Sequence, residues 1–191
     1  MDKIEAILNE ACLLFAEKGY EHTPISEIAE NAGVASGTII YHFKNKDNLL
    51  YVLVWQTLNA LFRQTRGRLD EVDTGMRGVE LFVDSFFDFM RTHRNESLLL
   101  LKNRSFERLN DLKGSPAMDI KSIQRRYSEL LEEVIQKGIE DGTVQKCDMR
   151  PTAMNITAML IGSAWLALFF DESVDTLNKA ALDNVRNALS K

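Results

Sequence analysis

The residues ISEIAENAGVASGTIIYHFKNK, numbers 25–46, hold two short helical patterns separated by a glycine. Ile25, Ile28, Ala29 and Ala32 fall on one face of the first pattern. Gly33 supplies the backbone freedom that a sharp corner demands, with Val34 packed beneath it. Ser36 is predicted to cap the second helix, Gly37 to His42. The small Ala29 permits a close crossing, and Ile39 on the second helix locks its angle. A small residue, a turning glycine and an apolar lock in this order make a helix-turn-helix.

Upstream, Ile4, Ile7, Leu8, Ala11, Leu14 and Phe15 share one helical face, and Gly19 ends that helix. Thr23 is predicted to cap the next helix with Pro24 at its first position. Asn45 is predicted to cap a fourth helix, where Asp47 complements the terminal dipole. The apolar residues of that helix, Leu49 to Phe62, form a wide band, so it is expected to bridge two domains. After a polar stretch from Gly67 to Gly75, helical patterns cover about 76–93, 94–110, 119–141, 150–170 and 174–190. No stretch alternates long enough to be read as a strand, and no internal repeat or low-complexity segment is visible. The predicted architecture is all-α. A three-helix domain (1–46) carries the helix-turn-helix, and a second helical domain spans 47–191.

The chain has 191 residues, 45% hydrophobic and 27% charged, which suits a packed core and excludes wholesale disorder. Cys12 and Cys147 are far apart without metal-type spacing, consistent with a reducing cytoplasm and no metal or cofactor. The acidic start MDKIEAILNE lacks a basic leader. The longest apolar run, Ala158–Phe170, is too short to span a bilayer and reads as a core helix. Net charge is −5, and residues 1–66 still hold eight acids against six bases. Yet Val34–Lys46 contains Lys44 and Lys46 and no acid, and phosphate binding depends on local charge. An enzyme is the rival class. His22, His42, His93 and many carboxylates are present, but no nucleophile elbow, metal cluster, phosphate loop or dinucleotide fingerprint organises them.

The run AGVASGTIIYHFKNKDNLL, with Phe15–Tyr20 and Ile28-Ala29 upstream, resembles the DNA-binding signature of TetR-type bacterial transcriptional regulators over roughly residues 4–52. A weaker echo lies at Gly138–Gly142. The resemblance implies a cytoplasmic regulator, most often a repressor released from a palindromic operator by ligand, and not an enzyme. It places Ser36, Gly37, Thr38 and Tyr41 in the major groove and gives phosphate contacts to Tyr41, His42, Lys44 and Lys46. Ser26 touches DNA from the preceding helix, and Phe43 points inward. Many relatives carry an aromatic where this chain has Ile40, so a backbone contact is absent or replaced here. That departure and the acidity also fit a helical adaptor without DNA binding.

The same resemblance implies a small apolar or aromatic effector. Phe86, Phe87, Met90, Leu100, Arg104, Tyr127, Met159 and Trp165 are the candidate lining, within a wider set that includes Phe82, Phe89, Leu99, Phe106 and Met154. Arg104 and Tyr127 are the candidate polar anchors, although an all-α core needs such apolar residues anyway. Ile156–Phe170 is apolar nearly all round, with small residues at Ala158, Gly162, Ser163, Ala164 and Ala167. This helix and the last one, with Val174, Leu177, Ala181, Val185 and Leu189, are expected to pair with their copies in a homodimer. Such a dimer must hold its recognition helices ~34–36 Å apart to meet successive major grooves.

Overall fold

Helical propensity and amphipathic spacing are realised throughout the computed structural model, which describes residues 2–70, 72–102 and 119–190. Among them are nine helices and no strand. They are α1 (Lys3–Glu17), α2 (Ile25–Asn31), α3 (Ser36–Phe43), α4 (Lys46–Leu69), α5 (Gly75–Thr92), α6 (Arg94–Lys102), α7 (Ile120–Asp141), α8 (Met149–Phe169) and α9 (Val174–Leu189). The chain packs as two compact units, residues 1–58 with 93–120, and residues 59–92 with 121–191. The helix expected over 94–110 is seen as α6 over Arg94–Lys102; residues 103–110, with Arg104 and Phe106, lie outside the described residues.

In the first unit, Ile7, Phe15, Ile28, Ile39, Leu49, Leu50 and Val54 are fully enclosed, and the Phe15 and Tyr20 rings meet 5.3 Å apart. Leu99 of α6 joins this core. The Lys102 ammonium donates to the carbonyls of Ala16 (3.0 Å) and Glu17 (2.7 Å). A cation there satisfies acceptors that the end of α1 leaves open. Burial, reinforced by the Glu96 charge, pushes the Cys12 thiol up to about 12, so it stays a protonated apolar side chain.

Two expected caps are corrected. Thr23 is buried, and its hydroxyl donates back to the carbonyls of Gly19 (2.8 Å) and Leu14 (3.3 Å). With that hydroxyl tied to the end of α1, Pro24 itself stands at the cap position of α2. Ser36 is the first residue of α3, and Ala35 occupies the cap position without a side-chain bond. Asn45 does cap α4, accepting from the Asn48 amide at 2.8 Å.

In the second unit, α5 packs chiefly on α9 and crosses α7 at very short range. A Cβ built on Gly75 would stand 1.9 Å from the backbone nitrogen of Gly138, and one on Gly78 would meet Val134 at 2.8 Å. The end of α7 also caps the start of α5. Asp141 accepts from the Gly75 amide (2.7 Å) and Thr143 accepts from the Met76 amide (3.1 Å). The Thr143 hydroxyl and then the Gly75 amide hold the Asp141 carboxyl below its ordinary pKa. Glu80 of α5 accepts from Arg186 of α9 (2.7 Å) and from Arg77 (2.9 Å).

Helix α8 has 21 residues, longer than the apolar run suggested, and by length and composition alone it could cross a membrane. One face is taken up in the fold. Ala153, Ile156, Leu160, Ala164 and Ala167 are buried, and the helix contacts α5 and α9. The opposite face is open, with Met154, Ile161, Trp165, Leu166, Phe169 and Phe170 exposed.

Candidate nucleic-acid interface

The corner between α2 and α3 is built from backbone bonds. The Val34 amide donates to Ala29 (2.9 Å) and the Gly33 amide to Glu30 (3.1 Å), while Gly33 takes φ +66°. A side chain there would be strained. Ile39 and Phe43 face inward, as expected for Phe43, and fix how α3 is rotated. That rotation leaves Ser36, Gly37, Ile40, Tyr41 and Lys44 along one open stripe at helical spacing. Tyr41 is 83% exposed and Ile40 45%. His42 is also exposed, with its ring edge-on to Tyr41 at 5.1 Å, and Thr38 is half-buried beside the stripe. Ser26 is exposed on α2.

Two residues of this stripe are poor local choices. Gly37 lies inside a helix without positive φ, and a Cβ there would touch nothing within 4 Å. Alanine at such a position favours the helix by ~0.5–1 kcal/mol, so nothing in the fold calls for glycine. Lys44 is the reverse case. Its φ is +68°, and the Asn45 amide donates across it to the Phe43 carbonyl at 2.8 Å. That is a γ-turn with positive φ, a strained conformation in which glycine would be the easier residue.

Lys46 does not extend into solvent. Its ammonium donates to the carbonyls of Tyr20 (2.8 Å) and Thr23 (3.1 Å) and lies 4.2 Å from the Tyr20 ring centroid. The Tyr20 hydroxyl donates to Asp47 at 2.5 Å. These bonds tie the 18–24 segment to the start of α4, so Lys46 braces the interface from behind.

The residues expected to line an effector pocket are distributed over both units. Phe87 and Met90 are buried in α5, Phe86 is half-buried there, and Tyr127 of α7 stacks on Phe82 at 4.7 Å. Leu100 belongs to the other unit, and Arg104 lies outside the described residues. Met159 is half-buried and meets the Asn184 amide through its sulfur at 3.8 Å. Trp165 is 47% exposed and packs on Phe169 and Phe170 along the outer face of α8.

Two hydroxyls of this region escaped the sequence reading. Thr65 and Ser85 are fully buried, and their oxygens, like that of Tyr127, complete no hydrogen bond. Burial drives the Tyr127 pKa upward. A hydroxyl amid apolar helix positions, as in Phe82-x-x-Ser85-Phe86, was the available signal. A cleft of about 600 Å³ also lies between α7 and α8, lined by Arg125, Glu129, Arg150, Met154 and Ile161 among others. Among the described residues no group of three or more His, Cys, Asp or Glu could hold a metal ion.

Residues 7–52 match the family described as bacterial regulatory proteins, tetR family, and residues 79–165 match a tetracyclin repressor-like C-terminal domain. The chain is 26% identical over 147 residues to the fatty acid metabolism regulator protein of Bacillus subtilis, covering 75% of this chain and 72% of that one. It is 26% identical over 140 residues to the transcriptional repressor KstR2 of Mycolicibacterium smegmatis, covering 73% and 66%. The fold matches that of the transcriptional regulator FadR from Bacillus subtilis, solved in complex with stearoyl-CoA. The TM-score is 0.79 at 22% identity, with 96% of this chain and 98% of that one covered. With a helix-turn-helix matched at one end and a repressor-type helical domain at the other, the chain belongs to the TetR family of DNA-binding transcriptional regulators.

Proposed function

We propose that the protein is a cytoplasmic, ligand-responsive repressor that binds a palindromic operator as a homodimer and acts by binding rather than by catalysis. One observation carries the DNA contact surface: Gly37 and Lys44 each oppose the local backbone preference and share one open stripe. A polyanionic duplex accounts for both, since glycine admits a backbone close to the groove and lysine supplies a phosphate contact. Ser36, Thr38 and Tyr41 then meet base edges, with His42 and Ser26 reaching the sugar-phosphate backbone. Lys46 acts here as a brace for the corner instead of a phosphate ligand. Selection of duplexes from a random library by the purified full chain, followed by fluorescence anisotropy, tests this reading. A two-fold symmetric site is expected, and enrichment of no sequence refutes it.

The homodimer is supported by the open face of α8. Its exposed residues recur at 154, 158, 161, 162, 165, 166 and 169, with Ala158 and Gly162 one turn apart at the centre. Nothing lies within 4 Å of a Cβ at Gly162, so the fold of one chain does not call for glycine there either. A second copy crossing at Ala158–Gly162 does. On α9, Ala181, Val185 and Leu189 are already buried in the chain's own core, so α8 carries the apolar part of the interface. Sedimentation at micromolar concentration is expected to give a dimer, and a monomer contradicts the proposal.

The effector reading rests on the second unit, where the Phe82 ring packs on Tyr127 and the hydroxyls of Tyr127, Thr65 and Ser85 are buried without completing a hydrogen bond. A buried hydroxyl without a partner costs ~1–3 kcal/mol, which a ligand with one or two polar atoms on an apolar body recovers. Such a ligand lowers operator affinity by preferring a different spacing of the recognition helices, with α4 as the connecting element. Stearoyl-CoA, bound by a structural relative, is the first probe to titrate against the protein–operator complex. Release of DNA supports a long-chain acyl effector, and thermal shift with shorter aromatic acids extends the search.

A further inference from the structure

Ile40 lies on the open stripe of α3, where its neighbours are Ser36, Gly37, Tyr41 and Lys44. It is 45% exposed, and it cannot be turned inward, because the rotation that would bury it would expose Ile39 and Phe43. Single exposed aliphatic side chains are common and mean little by themselves. This one has a particular neighbour. Helical side chains lean toward the N-terminus and over the residue three or four positions earlier, which here includes Gly37. Gly37 has no side chain, and the space where its Cβ would project is empty to 4 Å. Ile40 and the bare backbone at Gly37 therefore lie one turn apart on the same exposed face of α3, with the space beside Gly37 open.

We infer that Ile40 is a specificity-determining residue that reads the C5 methyl of one thymine in each operator half-site. The inference rests on the operator-binding reading above. An aliphatic side chain cannot sense donors or acceptors, and the thymine methyl is the apolar feature that the major groove displays. The β-branched side chain is already restricted at χ1, so docking it against a methyl loses little side-chain freedom. Ile40 thus supplies an apolar contact, and it separates thymine from cytosine at the same position.

The experiment uses the full chain and the duplex it enriches from a random library. Each thymine is replaced by deoxyuridine, singly and in symmetric pairs, and affinity is measured by anisotropy for the native chain and for Ile40→Ala. One position per half-site is expected to respond in the native chain. Affinity should fall about fourfold per methyl and about fifteenfold for the symmetric pair, from the transfer free energy of one buried methyl-sized group. For Ile40→Ala, with an unchanged circular dichroism spectrum, the thymine and uracil duplexes should bind alike. The inference is overturned if no position responds, or if the response persists undiminished in Ile40→Ala. If no duplex is enriched at all, the operator reading fails first and this inference falls with it.

Discussion

Glycine is used in opposite ways at the crossing of α5 over α7 and on the open face of α3. At Gly75 the space for a side chain is filled by the backbone of Gly138, and at Gly37 it is empty. The first glycine is needed by the chain's own packing. The second costs helix stability without being required by the chain's own packing, which is the ground on which a DNA contact is proposed for it. Gly162 on α8 resembles Gly37 in this respect, although its neighbours Ile161, Trp165 and Leu166 are apolar instead of polar. An empty glycine in a polar stripe suits a hydrated polyanion, and an empty glycine in an apolar stripe suits another helix.

The comparison is broken most directly at the crossing. Gly75→Ala sets a Cβ against backbone atoms that cannot rotate away, so α5 must lift from α7. A loss of about 3 kcal/mol or more is expected, at the upper end of overpacking effects, read as a lower urea midpoint. A change under ~1 kcal/mol would mean that the two helices can part freely. Gly37→Ala should behave in the opposite sense. Stability should rise by up to ~0.5–1 kcal/mol while operator affinity falls about tenfold or more, equal to ~1.4 kcal/mol. If both stability and affinity rise, close backbone approach is not what Gly37 provides.

Lys44 and Lys46 sharpen the same contrast between outward and inward roles. Lys46→Met removes two hydrogen bonds to backbone carbonyls and a ring contact, so the first unit should lose about 1 kcal/mol. The dependence of operator affinity on salt should be unchanged. Lys44→Ala should leave stability within ~0.5 kcal/mol and lower the salt slope by about one per subunit. Lys44→Gly should do the same to the salt slope while raising stability, because it relieves the positive φ. Exchanged outcomes for the two lysines would reverse their assignment.

These contrasts also mark how far the sequence could be read. The apolar period of α1 and the Gly33 corner are local signals, and the structure realises both. Thr23 and Ser36 have the residue type of caps without capping, because the sequence shows that type but not what its hydroxyl meets. For Thr23 that is the Gly19 carbonyl, reached through a turn. The inward bend of Lys46 depends on carbonyls of Tyr20 and Thr23, more than twenty residues away, which no window around Lys46 contains. Gly75 and Gly138 are likewise 63 positions apart, so their mutual need is invisible until the helices cross. For α8 the sequence reported apolar residues all round, and only packing separated the buried Leu160 from the exposed Ile161.

The smallest expected effect concerns the anchoring of α5 on α9 through Glu80. Burial pushes this carboxyl's pKa up, but hydrogen bonds and charge from Arg186 and Arg77 outweigh it and leave the folded value below the ordinary one. A carboxylate whose pKa is depressed by folding adds stability above its unfolded pKa of ~4.3 and loses that contribution as pH falls through the folded value. The arginines stay charged throughout, so protonation of Glu80 is the event that weakens the pair. Glu80→Gln should therefore be less stable than the native chain by about 0.5 kcal/mol at pH 7, since the pair is partly solvated. The gap should stay constant down to about pH 5 and narrow progressively as the pH falls from there through the depressed folded pKa. Urea midpoints of the two proteins from pH 7 down through the acid range measure it, with Arg186→Gln as the reciprocal variant. A gap that does not narrow at all on acidification would show that Glu80 stabilises α5 through its shape and not its charge. In that case the α5–α9 contact, like the glycine crossing beside it, rests on packing alone.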